Sequence, residues 1–226
     1  MSPRVLMIVT GHDRLGATGK ATGLYLSEFA HPYAVFQHAG YRIDVASPRG
    51  GDAPIDPNSM APELADYVPH TRRTLAFAAI DAAAYDAYFV VGGHGTMWDL
   101  PDDPILARLL PQAYAQGKIL AAVCHGPAAL ARLRDAGGRY LIAGKRVAGF
   151  SNAEEQAAQL SKVVPFLLED ALTAAGGRYS CAPLWQAHVA VDARIVTGQN
   201  PASAQGVAEV VVQLLATDAR ASGTGA

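Results

Sequence analysis

Residues 118–130 (KILAAVCHGPAAL) constrain the fold more than any other stretch of this chain. The apolar run ending at Val123 reads as a buried strand. The Gly126-Pro127 step and the small residues after it read as the start of a helix over 127–136. Cys124 thereby stands at a sharp strand-to-helix turn, with its thiol at the end of a sheet. That is the layout of a nucleophile elbow, with cysteine where serine is more familiar. A helix N-terminus behind the sulfur would favour the thiolate, so an acidic thiol is expected, with His125 beside it as proton acceptor. A free cysteine is often only a small buried hydrophobe, but the position before a Gly-Pro helix start favours the nucleophile. Cys181 lacks that setting and reads as structural.

An elbow of this kind needs a parallel sheet around it, and the remaining sequence supplies one. Residues 4–10, 41–47, 86–91 and 145–150 read as further strands. Residues 188–191 and 194–197 read as a hairpin turning at Asp192-Ala193. Helical patterns occupy 24–39, where Pro32 should kink or restart the helix, and 73–84. They recur at 103–116 (capped by Asp102 or Asp103), at 153–176 with a break at Pro165, and at 201–216. The alternation predicts an α/β fold with a doubly wound, mostly parallel sheet flanked by helices. A single domain is expected over 1–216, with a frayed small-residue tail over 217–226.

Composition closes off several classes of function. A net charge of −2 offers no electrostatic footprint for nucleic acid or an anionic membrane, and no apolar run approaches the ~20 residues of a membrane span. The first ten residues are too short an apolar run for a signal peptide, and two cysteines make no disulfide framework, so a cytoplasmic protein is the expectation. The Gly11-to-Gly16 segment (GHDRLG) is not GxGxxG, and no Walker motif occurs, so no nucleotide cofactor is expected. The histidines show no HxH or HxxxH spacing, so no metal is expected either. Gly92 and Gly93, at the end of a central strand, would let backbone N–H groups approach a reacting oxygen. His94 beside them reads first as a local hydrogen-bonding residue and second as part of that oxyanion and substrate-binding turn.

Five segments spread over the chain carry a resemblance: TGLYLSEFAHPY from Thr22, VGGHGTMWD from Val91, VCHG from Val123, Gly149-Phe150 with Glu155 beyond it, and VTGQNPASA from Val196. In that order they resemble the ThiJ/PfpI superfamily, and within it the glutathione-independent glyoxalase (glyoxalase III) and stress-chaperone branch. The resemblance implies a flavodoxin-like, class I glutamine amidotransferase-like sheet. It also implies conversion of methylglyoxal to lactate, and glyoxal to glycolate, through a Cys124 hemithioacetal without glutathione or metal. A small 2-oxoaldehyde is then the partner molecule, and a homodimer the expected assembly. Spacing alone leaves Glu28 free to reach solvent; the resemblance implies a partly buried, protonated carboxyl against the Cys124 sulfur. It likewise pairs His125 with Glu155, leaving the neighbouring Glu154 open as an alternative. Other readings are a stress holdase or redox sensor, and a cysteine-dependent amidase or hydratase-like hydrolase, since one fold hosts several chemistries.

Overall fold

The computed structural model describes residues 2–223. Its strands are β1 (Arg4–Ile8), β2 (Arg42–Ser47), β3 (Leu75–Ala76), β4 (Ala87–Val90), β5 (Ile119–Val123), β6 (Arg146–Val147), β7 (Arg178–Tyr179), β8 (Val189–Asp192) and β9 (Ile195–Gly198). Its α-helices are α1 (Leu26–His38), α2 (Thr96–Asp99), α3 (Leu106–Ala115), α4 (Ala128–Ala131), α5 (Asn152–Ala157), α6 (Leu168–Ala174) and α7 (Ala204–Gly223). Seven strands form one sheet in the order β3-β2-β1-β4-β5-β9-β8, and only β8 runs antiparallel to its neighbour. The central strands β4 and β5 are buried at every residue, as expected where helices cover both faces of a parallel sheet. The long helices α1 and α7 pack on one another, α7 also against β5 and β9; α3 packs on β5, and α4 on α2 and α6. None of the described helices is long and apolar enough to cross a membrane.

Strand order reverses between β1 and β4: the chain from β1 builds outward through β2 and β3, then returns to build the other half from β4. In such sheets the crevice beyond the carboxyl ends at this reversal is where ligands sit. The Gly92-Gly93 turn after β4, the Cys124 turn after β5 and the N-terminal turn of α1 all open onto it.

Several local expectations yield to tertiary context. Helix α1 runs without restarting through Pro32, whose missing N–H forfeits only the bond to the Glu28 carbonyl. The helix expected over 73–84 is instead the edge strand β3 followed by a single 3-10 turn, because this segment pairs in parallel with β2. The helix after Cys124 lasts one turn, since the chain is drawn off at Arg134 into a bridge with Tyr140 around a Gly137-Gly138 loop. The strand expected over 145–150 shrinks to β6, which pairs only with β7 in a separate two-stranded sheet. Asp103, rather than Asp102, accepts from the N–H groups of Ile105 and Leu106 at the start of α3. At the C-terminus, α7 remains helical through Gly223, beyond where fraying was expected; residues 224–226 of the expected tail lie outside the described residues.

Candidate active site

Cys124 takes the left-handed backbone conformation, φ 59°, that β-carbon sterics disfavour. Surrounding backbone holds it there: its N–H donates to the Gly198 carbonyl of β9 at 2.9 Å, and its carbonyl accepts from Phe150 N–H at 2.8 Å. Gly126 N–H returns to the Val123 carbonyl at 2.7 Å, closing the elbow. Such strain, over-determined by neighbours, is characteristic of functional positions. The thiol is nearly covered (4 % exposed), but it lines a cavity of about 340 Å³ that Glu28, His94, His125, Phe150 and Trp185 also line.

On one side of the sulfur lies an imidazole. His125 Nδ1 is 3.3 Å from Cys124 Sγ, and its Nε2 is 2.8 Å from Glu155 Oε2. A carboxylate accepts, so Nε2 carries the proton and Nδ1 is left as an acceptor toward the thiol. Burial, and then the charge of His94, lower His125 to about 4, against the hydrogen bond and charge of Glu155, which pull the other way. Burial alone would raise Glu155, but the hydrogen bonds from His125 and His94 outweigh it and hold this carboxyl down at about 2. The resting state is therefore a neutral imidazole against a carboxylate.

Glu28, fully buried in the first turn of α1, also faces the sulfur. Neither of its oxygens has a hydrogen-bond partner of ordinary geometry; the groups that face it are the Cys124 thiol and the backbone N–H of Gly92. Burial raises its carboxyl to about 8, so it is protonated at neutral pH. Burial works against the acidic thiol that the elbow leads one to expect. Burial first, and then Glu28 where it is ionised, push the Cys124 thiol above its ordinary value, and the backbone N–H groups of Gly93 and His125 partly oppose this. With one helical turn behind the sulfur, the dipole contribution is small. Two such groups in contact, both out of water, share at most one negative charge.

The glycines of the turn are required by close approach. A β-carbon on Gly92 would fall 2.2 Å from Glu28 Oε2, and one on Gly93 would fall 2.3 Å from the Gly23 carbonyl oxygen, at a φ of 101°. Gly92→Ala should therefore displace the Glu28 carboxyl by more than an ångström. We expect at least ~10²-fold loss of whatever reaction the site performs, checked by steady-state kinetics beside a circular-dichroism measurement of the fold.

His94 takes the local hydrogen-bonding role expected first of it. Its Nε2 is 3.0 Å from Glu155 Oε1 and its ring centroid 4.1 Å from that of His125, so one carboxylate serves two imidazoles. These three side chains bring ligand-type atoms within 4.8 Å of one another, though the two imidazole hydrogen bonds already occupy the carboxylate. Between the two adjacent glutamates, geometry gives Glu155 to His125. Glu154 turns the other way, in a capping box with Ser151 at the start of α5. Cys181 is exposed and lies outside the cavity.

Fold and site have counterparts elsewhere. The pattern of the DJ-1/PfpI family matches residues 20–214. The chain belongs to the DJ-1/PfpI family. Within it, the chain is 32% identical to the glutathione-independent glyoxalase HSP31 of Saccharomyces cerevisiae, over 92% of this chain and 96% of that one. The crystal structure of glyoxalase III from Candida albicans superposes with a TM-score of 0.85 at 30% identity, covering 94% of this chain and 97% of that one. That of the Rapid Encystment Protein 24 KDa of Francisella tularensis superposes at 0.88 with 40% identity, covering 95% and 99%.

Three cavity residues were given no role from sequence, although Tyr25 and Phe150 fall within the segments that carry the resemblance. Phe150 lays its ring 4.4 Å from that of His125, Trp185 stands 5.8 Å beyond Phe150, and Tyr25 lines the cavity next to Glu28. Each is an aromatic residue in an unremarkable local context, and only the crevice gathers them.

Proposed function

We propose that this protein is a glutathione-independent glyoxalase that converts methylglyoxal, and glyoxal by the same route, to the corresponding 2-hydroxy acid. The observation that carries this reading is the buried, protonated Glu28 carboxyl facing the same Cys124 sulfur that His125 meets. A hydrolase elbow needs one proton carrier beside its nucleophile; moving hydrogen between two adjacent carbons needs two. The names borne by the yeast relatives support the same reaction.

In this mechanism Cys124 reacts as a thiol. As sulfur adds to the aldehyde carbon C1, its proton passes to His125 Nδ1 and on to the new oxyanion, which the N–H groups of Gly93 and His125 steady meanwhile. His125 then removes the hydrogen from C1 while Glu28 protonates the oxygen on C2, giving an enediol. The His125 imidazolium returns its proton to C2, and the C1 hydroxyl proton goes to the Glu28 carboxylate. Both carriers are thus restored, with a lactoyl thioester on Cys124. Water activated by His125 hydrolyses the thioester, releasing lactate and the thiol. Cys124, His125 and Glu28 are the catalytic residues of this scheme, and Glu155 is a positioning residue that fixes the imidazole tautomer.

Purified protein should consume methylglyoxal and release lactate with no added thiol and no added metal. The reaction requires neutral His125 and protonated Glu28. Activity should therefore fall as pH drops through about 4 and fall again as pH rises through about 8. Turnover of amides in place of 2-oxoaldehydes would assign the elbow to hydrolysis and sink this reading.

A further inference from the structure

The segment around Gln199, Asn200 and Ser203 holds side chains buried as deeply as the core, yet none of them touches the reacting groups. Four of their side-chain hydrogen bonds run to one stretch of chain, residues 182–188. Gln199 accepts from Ala182 N–H at 2.7 Å and donates to the Ala182 carbonyl at 3.2 Å. Asn200 Nδ2 donates to the Gln186 carbonyl at 2.8 Å, and Ser203 Oγ accepts from His188 N–H at 3.1 Å. Glu154 completes the set: its Oε1 accepts from Trp185 N–H at 3.0 Å and from Asn200 Nδ2 at 2.8 Å. Its Oε2 is held by Ser151 N–H and Oγ. Satisfying so many buried polar groups on one loop makes that loop rigid.

What the loop presents is Trp185. Its backbone is in the left-handed region, φ 63°, which bulky residues rarely adopt, and the residue is 51 % exposed while lining the cavity that holds Cys124. The indole stands against Phe150, whose ring in turn lies tilted against that of His125. It therefore lies between the reacting groups and solvent.

We propose that Glu154 and the Gln199, Asn200 and Ser203 side chains form a latch that pins residues 182–188 across the cavity, and that Trp185, so held, sets the largest substrate the site admits. The latch residues are positioning residues, and Trp185 is a specificity residue. As a statement about substrate, this rests on the glyoxalase reading and adds to it: methylglyoxal passes the indole, and an aryl 2-oxoaldehyde does not.

The test compares kcat/KM for phenylglyoxal and methylglyoxal in the wild type, Trp185→Ala and Asn200→Ala. The phenylglyoxal-to-methylglyoxal ratio should rise about tenfold in Trp185→Ala, one missing ring contact in an apolar pocket being worth roughly that factor. It should rise several-fold in Asn200→Ala, where the indole is present but no longer pinned. A lost fold alone would lower both substrates and leave the ratio unmoved. A second arm needs no catalysis: in a Cys181→Ser background, Cys124 is alkylated at pH 9 with iodoacetamide and with N-phenylmaleimide, and the bulky-to-small rate ratio should rise in both variants. If the wild type turned over neither aldehyde, the reaction assigned above would fail, and the alkylation ratio would still decide the gate. Unchanged ratios in Trp185→Ala would overturn the size limit. Changed ratios in Trp185→Ala with none in a folded Asn200→Ala would overturn the latch.

Discussion

Cys124→Ala should abolish methylglyoxal turnover, by on the order of 10³-fold or more, while the protein stays folded. The side chain lost is small, and the elbow is held by main-chain bonds to Gly198 and Phe150 that alanine retains. Cys124→Gly makes the same point with a second readout. A residue with a β-carbon costs about 1–2 kcal/mol in left-handed backbone, and Cys124 sits at φ 59°. The glycine variant should therefore melt a few degrees above the alanine variant, and both should be inactive. Residual activity near wild type in either variant would remove the nucleophile from the scheme. Equal melting points would show that the elbow stores no strain.

Glu28→Gln should lower turnover by ~10²–10⁴-fold, the usual contribution of a positioned proton carrier, and should change how stability depends on pH. The carboxyl has an ordinary value of 4.5 and is raised by burial to about 8 in the folded protein. Between those two values the native state holds a proton that the unfolded chain has released, so stability falls as pH rises. The contribution is fully present below 4.5 and gone above about 8, a loss of roughly a few kcal/mol for a fully buried acid. Wild-type melting temperature should therefore drop between pH 5 and pH 9 more steeply than that of Glu28→Gln, which cannot ionise. At pH 9 the glutamine variant should be the more stable of the two. Parallel melting curves across that range would mean that Glu28 is solvated and ionised, and would take away the second proton carrier.

The thiol shows where local sequence reasoning reaches its limit. A cysteine before Gly-Pro at the end of an apolar strand identifies the elbow, because few other structures accommodate that order of residues. Its acidity depends on what surrounds the sulfur, and the surroundings come from α1, from the turn after β4 and from Phe150, up to a hundred residues distant. Burial by those elements outweighs one turn of helix dipole. Glu28 presents the same division. Nothing in its spacing tells a solvent-facing glutamate from a buried one, and the resemblance to known sequences supplied its place at the sulfur.

The chain's periodicities and turn residues were enough to determine a doubly wound parallel sheet, the Cys124 elbow and the Gly92-Gly93 turn, because strand burial and backbone sterics act over a few residues at a time. Only the folded structure decided that Glu155 rather than Glu154 meets His125, that His94 shares this carboxylate, and that Glu154 serves residues 182–188 instead. Adjacent residues at the start of one helix point in different directions, and which neighbour each meets is set by where α5 lies between the Cys124 turn and the chain around Trp185 and Asn200. Protonation follows the same rule, since the desolvation that keeps Glu28 neutral is a property of the assembled crevice and of no segment in it.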